Sequence, residues 1–279
     1  MIAHLPNDPS ALRRIAANAS LATAVLLAGL KLVAALLTGS VAILSSLVDS
    51  LADIAASAIT FVSIRVAMAP PDRRHRYGHG KAESLSALAQ AALVGGSGVF
   101  VLVQAAERLL APAPLEAGLV GLIVMLAAIV ITFGLVAIQR AVVRRTGSQA
   151  IDADSVHYQS DLLTNLAVIV SLGLSSFLDL PWLDPAIGGL IAAYLLKSAL
   201  QIGKTAVHTL MDHELPKEER ERIKAIVAAH PEVHGLHDLR TREAAGTKFI
   251  EFHIELDGNM TVREAHHVTA ALEAELAHA

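Results

Sequence analysis

Two pairs of ionisable side chains lie inside segments that otherwise have the composition of membrane spans. Asp49 and Asp53 sit in SLVDSLADIAASAITF, and His157 and Asp161 in VHYQSDLLTNLAVIVSLGL. A charge at bilayer depth costs a few kcal/mol even on the lenient insertion scales, so such groups are seldom idle. A spacing of four places each pair on one helix face. Three carboxylates and an imidazole make the oxygen and nitrogen set that a divalent metal takes in a four-coordinate site. The pattern points to a metal ion bound in mid-membrane.

Such a site needs helices that reach the right depth. Six apolar runs are long enough to cross roughly 30 Å of hydrocarbon at ~1.5 Å per residue. They are expected near Ala16–Thr38, Ser40–Met68, Ser84–Leu110, Leu115–Val143, Ala150–Leu178 and Asp184–Thr209. Breakers separate them at Thr38-Gly39-Ser40, Pro70-Pro71, Pro112 and Pro114, Gly147-Ser148, and Pro181. The chain is 54% hydrophobic and 17% charged, against about 25% charged in a soluble domain. It has no cysteine, which excludes disulfides and thiolate metal sites, and its net charge of -4 argues against a nucleic-acid partner. The opening MIAHLPNDPSALRR does not read as a secretory signal peptide.

Basic residues alternate sides. Arg13 and Arg14 precede the first span; Arg73, Arg74, Arg76 and Lys81 follow the second; Arg140, Arg144 and Arg145 follow the fourth. The loops after spans one and five carry no Lys or Arg. The positive-inside rule then places both termini in the cytoplasm. Span two enters from outside, which puts Asp49 and Asp53 ~17 and ~10 Å from the cytoplasmic edge. Span five enters from inside, which puts His157 and Asp161 roughly 10 and 16 Å from that edge. The two pairs share a layer. Lys31 reads as a snorkelling lysine near the outer interface, which leaves no Lys or Arg at the depth of the acids. Asp152 and Asp154 read either as a cation-concentrating cytoplasmic mouth or as ordinary interfacial acids. Gly95, Gly96, Gly98, Gly188 and Gly189 are expected to permit close helix packing.

The domain division is expected at 1-212 for the six-helix membrane domain and 213-279 for a small cytoplasmic domain. ELPKEERERIKAIVAAH reads as an amphipathic helix with Pro216 in its first turn. A strand is expected near Val233–Arg242, then a turn at Ala245-Gly246. In KFIEFHIELDG the residues Ile250, Phe252, Ile254 and Leu256 alternate with Glu251, His253 and Glu255, the pattern of a half-buried strand. Thr261–His278 reads as a second helix. The order α-β-β-α over ~65 residues is near the size limit for independent stability and favours a partner subunit.

The stretches DSLAD, RYGHGKAES and HYQSDLLTN, taken together, closely resemble the cation diffusion facilitator family, and the resemblance covers nearly the whole chain. It implies a homodimer in the bacterial inner membrane that exports divalent transition metal in exchange for protons. It implies Asp49, Asp53, His157 and Asp161 as the transport site. It implies Asp72, His75 and His79 in the loop PPDRRHRYGHGK as a second metal site, where a solvated loop is the alternative. Lys81 and Asp212 match a salt bridge where the helices meet the soluble domain, and unrelated surface charges are the alternative. His237, His253 and His266 match ligands of a regulatory metal cluster at a dimer interface. Relatives usually continue into a third strand that carries a further His and Asp ligand. This chain stops at Ala279, so the domain is expected to lack a final strand and the cluster to be incomplete.

One imidazole with three carboxylates suits zinc, and also cadmium, cobalt or ferrous iron, whereas an all-oxygen site suits manganese. Zinc is therefore expected as substrate and as regulatory ligand. An intramembrane metalloenzyme needs an open coordination position and a general base. Four ligands fill a tetrahedral shell and no HExxH motif occurs, so the chain does not read as an enzyme. A membrane metal sensor is the other alternative, and it leaves a mid-membrane site little purpose.

Overall fold

The computed structural model describes residues 8–39, 41–110, 119–175 and 182–278. Six long helices come first: α1 Pro9–Thr38, α2 Val41–Ala67, α3 Lys81–Leu110, α4 Leu119–Thr146, α5 Gln149–Ser175 and α6 Leu183–Leu210. Helix α1 begins seven residues earlier than its apolar stretch. Asp8 accepts from the Ser10 amide and Pro9 fills the first helical position, so the polar turn before Leu12 is already helical. It ends at Gly39, whose left-handed φ of 65° lets its amide return to the Ala35 carbonyl. The expected breakers Pro112, Pro114 and Pro181, and the boundary residues Ser40, Leu115 and Leu178, lie outside the described residues.

Among the described residues, α1, α2, α3, α4 and α6 are long and apolar enough to cross a membrane. Helix α5 is 27 residues long but carries Asp152, Asp154, His157, Gln159, Asp161 and Asn165. Its first half is buried on nearly every side, from Ala150 to Ser160. A helix buried all round belongs at the centre of a bundle, where neighbouring helices rather than lipid meet its polar groups. Helix α1 packs on α2 and α4, and α5 on α3 and α4. Leu12, Ala16, Ala17, Ile64, Val142, Ala150 and Ile151 close one core between α1, α2, α4 and α5. Val94, Val156, Leu195 and Ala199 close another between α3, α5 and α6.

Small residues set how closely α3 and α6 approach. A Cβ added at Gly98 would sit 3.2 Å from Leu195 Cβ, and one at Gly188 would sit 3.2 Å from Ala105 Cβ. Gly95 faces Ala199 in the same seam. Among the described residues, a Cβ added at Gly96 or Gly189 would meet nothing within 4 Å.

The chain divides into two units, Met1–Val207 and His208–Ala279. The second holds α7 Lys217–Ala229, β1 Gly235–Ala244, β2 Thr247–Glu255 and α8 Val262–His278. Strands β1 and β2 form an antiparallel hairpin. Its tight turn is Ala245-Gly246, both with positive φ (50° and 81°), as a two-residue hairpin loop requires. Val227, Val268 and Leu272 form the core, with Leu236, Phe252, Ile254 and Leu276 packed on it. The alternation along β2 turns Phe252 and Ile254 inward and leaves Glu251, His253 and Glu255 exposed. The protein is thus a helical membrane protein followed by a small α+β domain.

Candidate metal centre

Helices α2 and α5 carry the mid-membrane residues, and the structure brings three of them together. Asp53, His157 and Asp161 each place one ligand atom within 4.8 Å of the others. His157 Nε2 lies 3.1 Å from Asp53 Oδ1, with the imidazole 8% and the carboxylate 17% exposed. The other ring nitrogen, Nδ1, is buried and has no hydrogen-bond partner among the described residues. Such a group offers two oxygen ligands and one nitrogen ligand in a site shielded from solvent. Asp49 does not join it. One turn along α2, about 6 Å by the helix rise, its side chain is exposed. Three of the four expected ligands thus lie together, and Asp49 stands one turn toward the α1–α2 connection.

Two residues that the sequence reading placed elsewhere belong beside this group. Lys31 does not snorkel outward. Its ammonium donates to Ser50 Oγ at 2.6 Å and to the Ser46 carbonyl at 3.2 Å, both on α2. Nor does Asp154 lie at a mouth or an interface, because it is fully buried. Its carboxylate accepts from Ser20 and Gln139, each at 2.6 Å, and from Gln90 at 3.2 Å. The Ser57 and Tyr158 hydroxyls stand 2.7 Å apart beside Ser20. Helices α1 to α5 all contribute to this network. Buried polar groups are costly unless they are paired, and here neutral donors from three helices converge on one carboxylate. The available signal was spacing: Asp154 precedes His157 by three residues and so shares its helix face. Asp152, by contrast, forms an ion pair with Arg140 at 3.0 Å.

The loop between α2 and α3 gathers a second group. Asp72, His75 and His79 offer ligand atoms within 4.8 Å of one another. His79 Nε2 lies 3.4 Å from Asp72 and 3.2 Å from His75 Nδ1. The amides of His75 and Arg74 donate to Asp72 Oδ1 at 2.6 and 2.7 Å. These two backbone bonds, that of His75 first, lower the Asp72 pKa from 3.8 to about 2. Behind the loop, Arg13 and Glu83 form a buried ion pair at 3.1 Å, and Ser148 donates to the same carboxylate. Arg13 is thus tied between helices rather than free in a basic cluster.

The third group lies on the hairpin. His237 and His253 are direct cross-strand partners, with perpendicular rings 5.1 Å apart. The register slips between His237 and Arg240, and in that bulge Asp238 takes a left-handed φ of 53°. Its carboxylate comes within 3.4 Å of His237 and 3.8 Å of His253. The residue that meets the two histidines is therefore Asp238, while His266 on α8 stands outside the group. Nothing in the sequence pattern marked the bulge. Asp212, also with left-handed backbone, accepts from Arg242 at 3.3 Å. Of the expected Lys81–Asp212 pair, Lys81 lies in the first unit and Asp212 in the second.

Residues 17–211 match the family model described as the cation efflux transmembrane domain. Residues 215–279 match the cation efflux protein cytoplasmic domain. The chain is 47% identical over 256 residues to the cation-efflux pump FieF of Shewanella oneidensis, covering 92% of this chain and 86% of that protein. It is 45% identical over 258 residues to the protein of that name in Cronobacter sakazakii (92% and 86% covered). It is also 45% identical over 263 residues to that of Klebsiella pneumoniae (94% and 86% covered).

Proposed function

The chain belongs to the cation efflux family, the cation diffusion facilitators, and on that premise we propose that it exports divalent transition metal from the cytoplasm in exchange for protons. Zinc is the leading substrate, with cadmium, cobalt and ferrous iron next. The observation that carries this reading is the buried Asp53–His157–Asp161 group on two helices of the membrane unit. Asp49 supplies the fourth ligand when its side chain turns inward. A set of one imidazole nitrogen and three carboxylate oxygens suits zinc better than manganese.

Energetics favour an exchange. Carrying a dication out of a negative interior costs roughly 4.6 kcal/mol per 100 mV, twice the ~2.3 kcal/mol of a single charge. Protons moving inward offset that cost. Metal binding requires ionised carboxylates and a neutral imidazole, so loading the site releases protons and emptying it takes them up. Tilting of α2 and α5 against their neighbours would expose the group to one side at a time.

The protein sits in the inner membrane with both termini cytoplasmic, and it works as a homodimer through the soluble domain. The loop group and the hairpin group bind further metal and report its level. Metal-dependent proton flux in sealed proteoliposomes, run with Zn2+, Cd2+, Co2+, Fe2+ and Mn2+, tests the reading. Zn2+ uptake coupled to opposite proton movement supports export by exchange. Metal binding without any flux would instead favour a sensor.

A further inference from the structure

Lys31 stands seven residues before the end of α1, roughly 10 Å along the helix. A lysine at that depth can run its stem along apolar surface and place the ammonium in the interface. This one turns inward instead. Among the described residues it donates to Ser50 Oγ, on a residue only 1% exposed, and to the Ser46 carbonyl. Ser50 lies between Asp49 and Asp53 in the chain, so the ammonium is fixed to the turn of α2 that carries both acids.

The charges then close in a simple way. Asp49, Asp53 and Asp161 bring three negative charges, His157 as a ligand is neutral, and Lys31 brings one positive charge. Over the four proposed ligands and Lys31 the sum is -2, which one dication cancels; the Asp154 carboxylate, held by its own donors Ser20, Gln90 and Gln139, is outside that sum. In a low-dielectric layer a loaded ligand set without net charge is cheaper to move than a charged one. A fixed positive charge also repels the metal and keeps it from binding too tightly to leave. We propose that Lys31 is the resident counter-cation of the mid-membrane site, matching the site to a dication and limiting how tightly it is held. This rests on the reading that Asp49, Asp53, His157 and Asp161 form the transport site.

The test is Zn2+ flux into sealed vesicles containing the full chain, read as KM and maximal rate separately. Lys31→Gln keeps an N–H donor for Ser46 and Ser50 but removes the charge. It should lower KM for Zn2+ by roughly tenfold, because one unit charge at this range is worth at least that much to a dication. It should lower the maximal rate as well, since a tighter metal leaves more slowly. Lys31→Arg keeps the charge and should retain both constants within about threefold. An unchanged or raised KM in Lys31→Gln overturns the proposal. So does the same KM shift in Ser50→Ala, which keeps the charge and loses the hydrogen bond. Failure of both Lys31→Gln and Lys31→Met to assemble, beside a normal Lys31→Arg, would place the ammonium in helix assembly and also overturn it. Asp161→Ala runs in parallel. Full flux there sinks the site assignment itself, whereas a silent Asp161→Ala beside a wild-type Lys31→Gln sinks only the role of Lys31.

Discussion

The mid-membrane group and the loop group are built from the same two residue types at similar separations, yet they differ in what surrounds them. Asp53 and His157 are 17% and 8% exposed, and Asp72 and His75 are 52% and 57% exposed. In the loop, water and two backbone amides already satisfy the carboxylate, so the loop group is stable whether or not it binds anything. In the membrane a carboxylate beside a buried imidazole has few alternatives to a cation or a proton. Burial therefore raises the cost of leaving such a cluster without a cation or a proton, a cost that the exposed loop group does not bear. The Lys31 contact sharpens the contrast. The Lys31 ammonium is bonded to the turn of α2 that carries Asp49 and Asp53, whereas in the loop Asp72 accepts from neutral amides.

Removing a ligand from each group is the most direct way to break this comparison. Asp161→Ala should cut Zn2+ flux by ~100-fold or more, beyond the tenfold to hundredfold typical of residues that only support a metal ligand. The protein should still purify as a folded oligomer, because one truncated side chain leaves too small a gap to undo six helices. His75→Ala with His79→Ala should leave flux within about threefold, as surface changes usually do. Equal losses in the two variants, measured in the same vesicles, would dissolve the distinction.

Ligand chemistry offers the next largest effect. His157→Asp makes the membrane group all oxygen and should shift relative Zn2+ to Mn2+ flux by ~tenfold toward Mn2+. A ratio unchanged from wild type would mean that the nitrogen does not reach the metal during transport.

Much of this was legible in the residues themselves, and the reason is periodicity. Apolar runs set the helices, alternation set β2, and the spacing of four put His157 and Asp161 on one face. What stayed hidden depends on partners from other elements. Lys31 looks the same in sequence whether its ammonium reaches outward or toward Ser50, and only the α1–α2 packing decides. Asp154 reads as interfacial until Ser20, Gln90 and Gln139 converge on it from three helices. Arg13 reads as a topology signal until Glu83 pairs with it. Asp238 is one position among others in the expected strand until a bulge lifts it between two histidines. Local pattern specifies elements, whereas cross-element pairing assigns the charges inside them.

The loop group also differs from the membrane group in how pH should act on it. The Asp72 carboxylate is depressed from 3.8 to about 2 by the His75 and Arg74 amides. A depressed carboxylate orders the loop fully above its ordinary value and loses that order as pH falls from about 3.8 through about 2. Asp72 therefore stays ionised throughout the range in which metal binding is measured. Acid release of Zn2+ from the loop above pH ~4 then does not come from Asp72. Asp72→Asn should weaken loop binding about tenfold without moving the pH at which half of it is lost. Calorimetry on full-length protein carrying His157→Ala, His237→Ala and His253→Ala isolates the loop. A midpoint that moved in Asp72→Asn would assign the acid release to the carboxylate instead.

The hairpin group should show the smallest effect on transport and the clearest separation of binding from folding. Asp238 holds a left-handed φ of 53°, a region that Asn tolerates as well as Asp. Asp238→Asn thus preserves the bulge and removes only the negative charge beside His237 and His253. The melting temperature should stay within ~3 °C of wild type, as expected when neither packing nor backbone strain changes. Zn2+ affinity at the hairpin should fall about tenfold, because an amide is a poor substitute for a carboxylate ligand. Zn2+ flux should be unchanged in maximal rate, since the group lies in the soluble unit. The comparison with Asp238→Ala separates the two roles of this residue. Ala pays the left-handed strain that Asn avoids, so it should lower the melting temperature as well as the affinity. If Asp238→Asn kept full hairpin affinity, the Asp238 carboxylate would not be a ligand, and the bulge would serve the strand register rather than the metal.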